Sequence, residues 1–197
     1  MKNFVSFLVL IAAFVGFIYI YNYFMQPGPI GCEFNLISSN GEKITEKDIR
    51  AKPAVVFFGY TMCPDICPTT MVDMQHWIEQ LGTDANKLGW WFFSVDPQRD
   101  TPQVMHSYLS SFPKNIIGIS GDAAKVSKVI KAFNIVAKKV PGENNDYTYD
   151  HTAAVILLRK GGRSYGIIPF QADVGAQSER NGIGLDKLKQ LIKDEYR

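Results

Sequence analysis

Two unbroken apolar runs, Ala54 to Tyr60 and Leu88 to Val95, constrain this chain more than any other feature. Each is shorter than a typical buried helix and lacks the apolar–polar alternation of a strand with one wet face, so each predicts a strand buried on both sides. A helix follows each run. Pro68 can open one that extends to Leu81, where Gly82 stops it; Thr101 and Pro102 suit the N-cap and first position of another that reaches about Ser110, before Pro113. Buried strands alternating with helices imply an α/β layer structure with a mainly parallel sheet, whose sites form in loops at the C-terminal ends of the strands.

The remaining elements follow from the same signals. Glu33 to Ile37 is strand-like and Ser38 to Gly41 is a turn; Ile116 to Ser120 is a strand, Asp122 caps a helix to about Phe133, and Ile135 to Val140 is a further strand. Pro141 to Asp146 is polar and turn-rich. Ala153 to Arg159 and Tyr165 to Phe170 flank Gly161-Gly162, which predicts an antiparallel hairpin at the sheet's edge. Gln171 to Gly184 reads as a long polar loop, and Leu185 to Tyr196 as a closing amphipathic helix. With 46% hydrophobic and 20% charged residues, 197 residues can bury one full core. The formal net charge of +2, with both signs interspersed, leaves no phosphate-binding surface and argues against nucleic acid as a partner.

Phe4 to Phe24 carries no charge, and at about 1.5 Å per helical residue it matches the ~30 Å hydrocarbon core of a bilayer. Lys2 precedes it and no Lys or Arg follows until Lys43, so the positive-inside rule places the N-terminus in the cytoplasm and the rest outside. Tyr19, Tyr21 and Tyr23 suit the headgroup region at the exit. A cleavable signal peptide fits less well, because no small-x-small cleavage site follows, and Pro29 stands where a lipoprotein cleavage box before Cys32 would have Leu. The expected organisation is a membrane anchor over residues 1–24, a Pro/Gly linker over 25–31 and one domain over 32–197. Without an Arg- and Ser-rich transit peptide, the expected location is a bacterial inner membrane, single-pass, with the domain in the periplasm.

Chemistry concentrates in Thr61-Met62-Cys63-Pro64-Asp65-Ile66-Cys67-Pro68, between the first buried strand and its helix. Residues four apart on one turn bring their Cβ atoms to about 5–6 Å, so the two sulfurs can share an ion or form a disulfide. With Pro68 as first helical residue, Cys67 falls near the N-cap, where free N–H groups favour a thiolate. A static disulfide is the plainer alternative, but so short a loop stabilises little. Of three histidines, His76 and His106 lie within helices and read as surface or core-edge residues, whereas His151 stands at the start of the strand from Ala153. Two thiolates and one imidazole form a soft set suited to Cu(I), with Cu(II) able to bind if another ligand joins; structural zinc would want four protein ligands. Asp150 is a candidate to fix the His151 tautomer, or else a solvated turn residue. The segment Ser94 to Pro102 follows the second buried strand to the same end of the sheet, where its plainest role is a turn with Arg99 paired to a carboxylate and Thr101 capping the helix.

These stretches together resemble the Sco/SenC family of copper-binding, cytochrome c oxidase assembly proteins. The resemblance runs from about Gly31 to Gly162 and rests on Phe57-Phe58-Gly59-Tyr60-Thr61 leading into Cys63-Pro64-Asp65-Ile66-Cys67-Pro68, on Ser94-Val95-Asp96-Pro97 with Arg99-Asp100-Thr101-Pro102, and on Asp150-His151. It implies a thioredoxin-like three-layer fold with a central mixed sheet, copper bound by Cys63, Cys67 and His151, and a role in delivering or reducing the binuclear copper A centre of the oxidase. The family's N-terminal anchor also matches. Cys32 departs from the family's usual glycine, and the Gln171 to Gly184 loop has no clear counterpart. Three other roles stay open: a thiol–disulfide reductase that keeps the acceptor's cysteines reduced and is itself recharged by a thiol reductant, a redox or copper sensor, and a peroxiredoxin-type peroxidase. The last lacks the upstream proline such sites carry.

Overall fold

The two apolar runs lie side by side at the centre of a seven-stranded sheet. The computed structural model describes residues 11, 13–18, 21, 28–142, 146–170 and 176–197. Its elements are β1 (Asn35–Ser38), β2 (Lys43–Thr45), α1 (Glu46–Arg50), β3 (Ala54–Gly59), α2 (Ile66–Leu81), a 3-10 turn (Gly82–Lys87), β4 (Gly89–Ser94), α3 (Pro102–Leu109), β5 (Ile116–Ser120), α4 (Ala123–Ala132), β6 (Ala137–Pro141), β7 (Tyr147–His151), β8 (Ala154–Leu158), β9 (Ser164–Pro169) and α5 (Ala176–Glu195). The sheet order is β2-β1-β5-β4-β3-β8-β9, and β6 pairs with β7 in a separate sheet.

Among the described residues only β3–β4 and β4–β5 are parallel; every other pairing is antiparallel. The expectation of a mainly parallel sheet therefore holds for the centre alone. Parallel neighbours need a crossover, which α2 and α3 supply, whereas the turns β1–β2 and β8–β9 are too short for anything but hairpins. The β8–β9 turn uses Gly161 and Gly162, both at positive φ, as the glycine pair predicts.

Alternation along the central strands sorts their aromatics onto two faces. Phe57 and Phe92 stack on one face, where Tyr108 of α3 continues the stack, and Trp77 of α2 lies against β8 there. Phe58 and Phe93 stack on the other, meeting Phe133 just past α4, with Ile49 of α1 in the same cluster. Helices thus cover both faces of a mixed sheet, a thioredoxin-like three-layer arrangement.

One stretch carried no expectation, and two expectations need correction. First, β2 and α1 fill the stretch between the early turn and β3; the Thr45 backbone N–H donates to Asp48 Oδ2 at 2.8 Å and its hydroxyl does so at 2.7 Å, a capping box too short to carry a periodic signal. Second, the expected loop to Gly184 is helical from Ala176. Its glycines lower helix propensity, yet a Cβ at Gly184 would lie 2.4 Å from the Trp77 ring, so close packing on α2 demands glycine there. Third, His151 does not begin the strand from Ala153; it ends β7, opposite Ala137.

Ile30 already packs on the domain, its N–H donating to the Gly162 carbonyl at 2.9 Å. Residues 13–18 are helical and expose Phe14, Val15 and Phe17. Among the described residues no helix is long and apolar enough to cross a membrane. The expected anchor over residues 1–24 lies largely outside the described residues.

Candidate metal centre

Helix α2 starts earlier than Pro68 implies: Asp65 is its N-cap and Ile66 its first residue, so Cys67 sits inside the first turn and Pro68 one position further on. Cys67 is fully buried, while Cys63, just before the helix, is partly exposed. The Cys67 backbone N–H donates to Cys63 Sγ at 3.4 Å, and the Cys63 N–H donates to the Tyr60 carbonyl at 3.2 Å. The helix N-terminus therefore serves Cys63, not Cys67 as the sequence suggests.

The two sulfurs then differ in acidity. A hydrogen bond from the Cys67 thiol, opposed by desolvation and helped by His151 and the backbone N–H groups, holds the Cys63 thiol far below its ordinary range. The same hydrogen bond and burial push Cys67 far above it, so one proton stays on the inner sulfur. Gly59 makes room for that sulfur: a Cβ there would lie 2.7 Å from Cys67 Sγ and 2.8 Å from the Phe92 ring.

β7 brings in the third donor. His151 Nε2 lies 3.4 Å from Cys67 Sγ, and the donor atoms of Cys63, Cys67 and His151 all fall within 4.8 Å of one another. Bonds of about 2.3 Å to sulfur and about 2.0 Å to nitrogen put two donors of one ion roughly 3.5 Å apart, so the cluster is already near chelating size. The ring sits edge-on to Phe57 and Tyr60. Its Nδ1 lies 3.2 Å from the Thr152 carbonyl, which can only accept, so Nδ1 donates there and Nε2 is the ring nitrogen that faces the sulfurs. Asp150, considered from sequence for that orienting role, is exposed and stands opposite Lys138, while the Thr152 carbonyl occupies the position at Nδ1. His76, His106 and Cys32 lie outside the cluster. Cys32 packs instead against Phe133 and Ile49 on the far face.

Sequence reasoning missed the groups that hold these segments. Asp100 is buried, and burial raises its carboxyl above the ordinary carboxylate range although Ser94 and Thr61 oppose the shift. It accepts from the Thr61 hydroxyl at 2.6 Å, the Thr61 N–H at 3.2 Å and the Ser94 hydroxyl at 2.5 Å. Arg99 pairs with buried Asp96, as the turn reading expects, but it also donates to Asp146 Oδ1 and the Tyr147 carbonyl, each at 3.0 Å. Tyr60 bridges both halves: its carbonyl receives Cys63 and its hydroxyl lies 2.5 Å from Thr148 Oγ1. The signals for these contacts were three charged residues in a loop at the same end of the sheet and the place of that loop, with Tyr60-Thr61, in the family resemblance.

A thioredoxin-like domain with a dithiol and an imidazole converging beyond its central strands defines a small class of proteins. The chain belongs to the SCO1/SenC family, whose model matches residues 25–180. It is 32% identical over 177 residues to a SCO2-like protein of Rickettsia prowazekii, covering 89% of this chain and 81% of that one. It is 34% identical over 133 residues to the mitochondrial SCO1 homolog 1 of Arabidopsis thaliana, which is 66% of this chain but only 39% of that relative's length. The structure of Bradyrhizobium japonicum ScoI with copper bound matches with a TM-score of 0.73 at 41% identity, over 82% of this chain and 99% of that one.

Proposed function

We propose that this protein binds copper through Cys63, Cys67 and His151 and hands it to the copper A-bearing subunit of cytochrome c oxidase, or to another acceptor with soft donors. The observation that carries this reading is the convergence of two sulfurs and one imidazole nitrogen within 4.8 Å. Two thiolates and a neutral imidazole suit Cu(I) in three-coordinate form and accept Cu(II) with an added ligand. Loading removes the proton held on Cys67, so binding releases it to solvent. Cys63 offers the accessible side from which an acceptor's donors can displace the protein's ligands one at a time. Oxidation of both thiols to a disulfide would remove two electrons and both sulfur ligands, coupling copper retention to redox state. The uncharged N-terminal segment supports attachment to a bacterial inner membrane with the domain in the periplasm.

Copper titration of the reduced protein tests the reading. Cys63→Ser, Cys67→Ser and His151→Ala should each weaken binding relative to wild type; equal binding by all four proteins would overturn it.

A second reading is favoured by the asymmetry of the thiols. An accessible thiolate with a buried, protonated partner is arranged for disulfide reduction: Cys63 attacks an acceptor disulfide and expels one thiolate, then Cys67 loses its proton, attacks Cys63 and expels the second. A thiol reductant must then reset the pair. His151→Ala separates the two, because the reductase would keep its activity and the copper carrier would lose affinity.

A further inference from the structure

The two halves of the metal centre come from segments 84 residues apart in sequence, and the second half stands on a weakly buried arm. No residue of β6 or β7 is fully buried; Ala137 and Tyr149 pack against the core, and His151 meets it edge-on at Phe57 and Tyr60. Apolar burial of the arm therefore leaves much of the placement of His151 to polar contacts.

Polar contacts to the loop at residues 96–100 share that role with the Tyr60 hydroxyl, which lies 2.5 Å from Thr148 Oγ1 and accepts from the Tyr149 N–H at 3.3 Å. Asp96 accepts from the Tyr147 hydroxyl at 3.0 Å, and Arg99 grips the Tyr147 carbonyl and Asp146 while its guanidinium lies 3.8 Å from the Tyr147 ring centroid. Tyr147 precedes His151 by four residues, two repeats of the strand pleat, and so lies on the same face. On the loop's other side Asp100 holds Thr61, two residues before Cys63. The backbone N–H groups of Arg99 and Asp100 both donate to the Asp96 carbonyl, at 3.2 and 2.9 Å, so the two grips belong to one closed turn.

We propose that the loop at residues 96–100 is a two-sided brace that sets the spacing between the thiol and imidazole halves of the site, with Arg99 as the positioning residue for His151. This rests on the copper reading above and adds to it a determinant that touches no ligand atom. Arginine fits because its fork serves Asp96 on one edge and Tyr147 and Asp146 on another while its plane covers a ring; a lysine ammonium can serve one of these at a time.

The test compares Arg99→Ala, Arg99→Lys and His151→Ala in the full, reduced chain. In metal-free protein, Arg99→Ala should speed amide exchange at Tyr147 to His151 and leave β3 and β4 unchanged. Its Cu(I) affinity, measured by competition with a chromophoric chelator, should fall about 10–100-fold, the usual effect of losing a group that orients a ligand. X-ray absorption of the loaded protein should show two sulfur scatterers retained and the nitrogen scatterer diminished. Arg99→Lys keeps charge and stem packing, guards against simple misfolding, and should still lose affinity. Unchanged exchange and affinity in both Arg99 variants, with His151→Ala impaired, would sink the brace and leave the copper reading intact. An unimpaired His151→Ala would instead remove the copper reading and the brace with it.

Discussion

Cys63 and Cys67 are one residue type in one short motif, yet the fold gives them opposite properties. Cys63 accepts an N–H from the first turn of α2 and faces solvent, whereas Cys67 is sealed behind β3 and keeps the shared proton. A lowered pKa keeps a thiolate present as pH falls. Alkylation of Cys63 by iodoacetamide in reduced, metal-free protein should therefore stay nearly constant from about pH 8 to about pH 5, where an ordinary thiol slows about tenfold per unit. Peptide mapping checks this, and labelling of Cys67 ahead of Cys63 would contradict it. Gly59 is as demanding as either cysteine. Gly59→Ala drives a methyl into Cys67 Sγ and Phe92, which should lower stability by about 1–3 kcal/mol and weaken copper binding, read by denaturant unfolding and metal competition. The pairing of the cysteines and the candidacy of His151 were legible as a motif. Which sulfur ionises was not, because it depends on where the helix begins, and Pro68 misplaces that start.

Elements announced by strong local signals formed as expected. Thr101 accepts from the Val104 N–H and Asp122 accepts from the N–H groups of Ala124 and Lys125, so both helices start where their caps stand. Thr101→Ala should cost about 1 kcal/mol in unfolding free energy. The first half of α5 lacked such a signal, since its polar residues and two glycines, Gly182 and Gly184, resemble a loop until Trp77 is packed against Gly184. Gly184→Ala replaces a poor helix former with the best one, yet should lower the melting temperature because the methyl meets the Trp77 ring at 2.4 Å. A rise in melting temperature would mean that propensity outweighs packing at this contact. The β6–β7 arm was half visible, as one strand and a turn, because β7 carries tyrosines and charges without a buried face.

In the whole molecule the metal centre is an assembly of three chain segments around the ends of β3 and β4. Copper that bridges them favours the folded state, in which all three donors meet, and should stabilise it by at most about 2.7 kcal/mol at a hundredfold excess over Kd, since the unfolded chain keeps the dithiol. Thermal unfolding should show this shift in reduced protein and lose it once the cysteines are joined. The sequence by itself determined the layered α/β core and the nature of the donors, because apolar runs, caps and soft ligands are properties of neighbouring residues. Tertiary structure alone decided the sheet's mixed sense, the unequal sulfurs, the Thr152 carbonyl on His151 and the reach of Arg99 to Tyr147. Each of these joins groups far apart in the chain, and their energies depend on burial and distance, which exist only after folding.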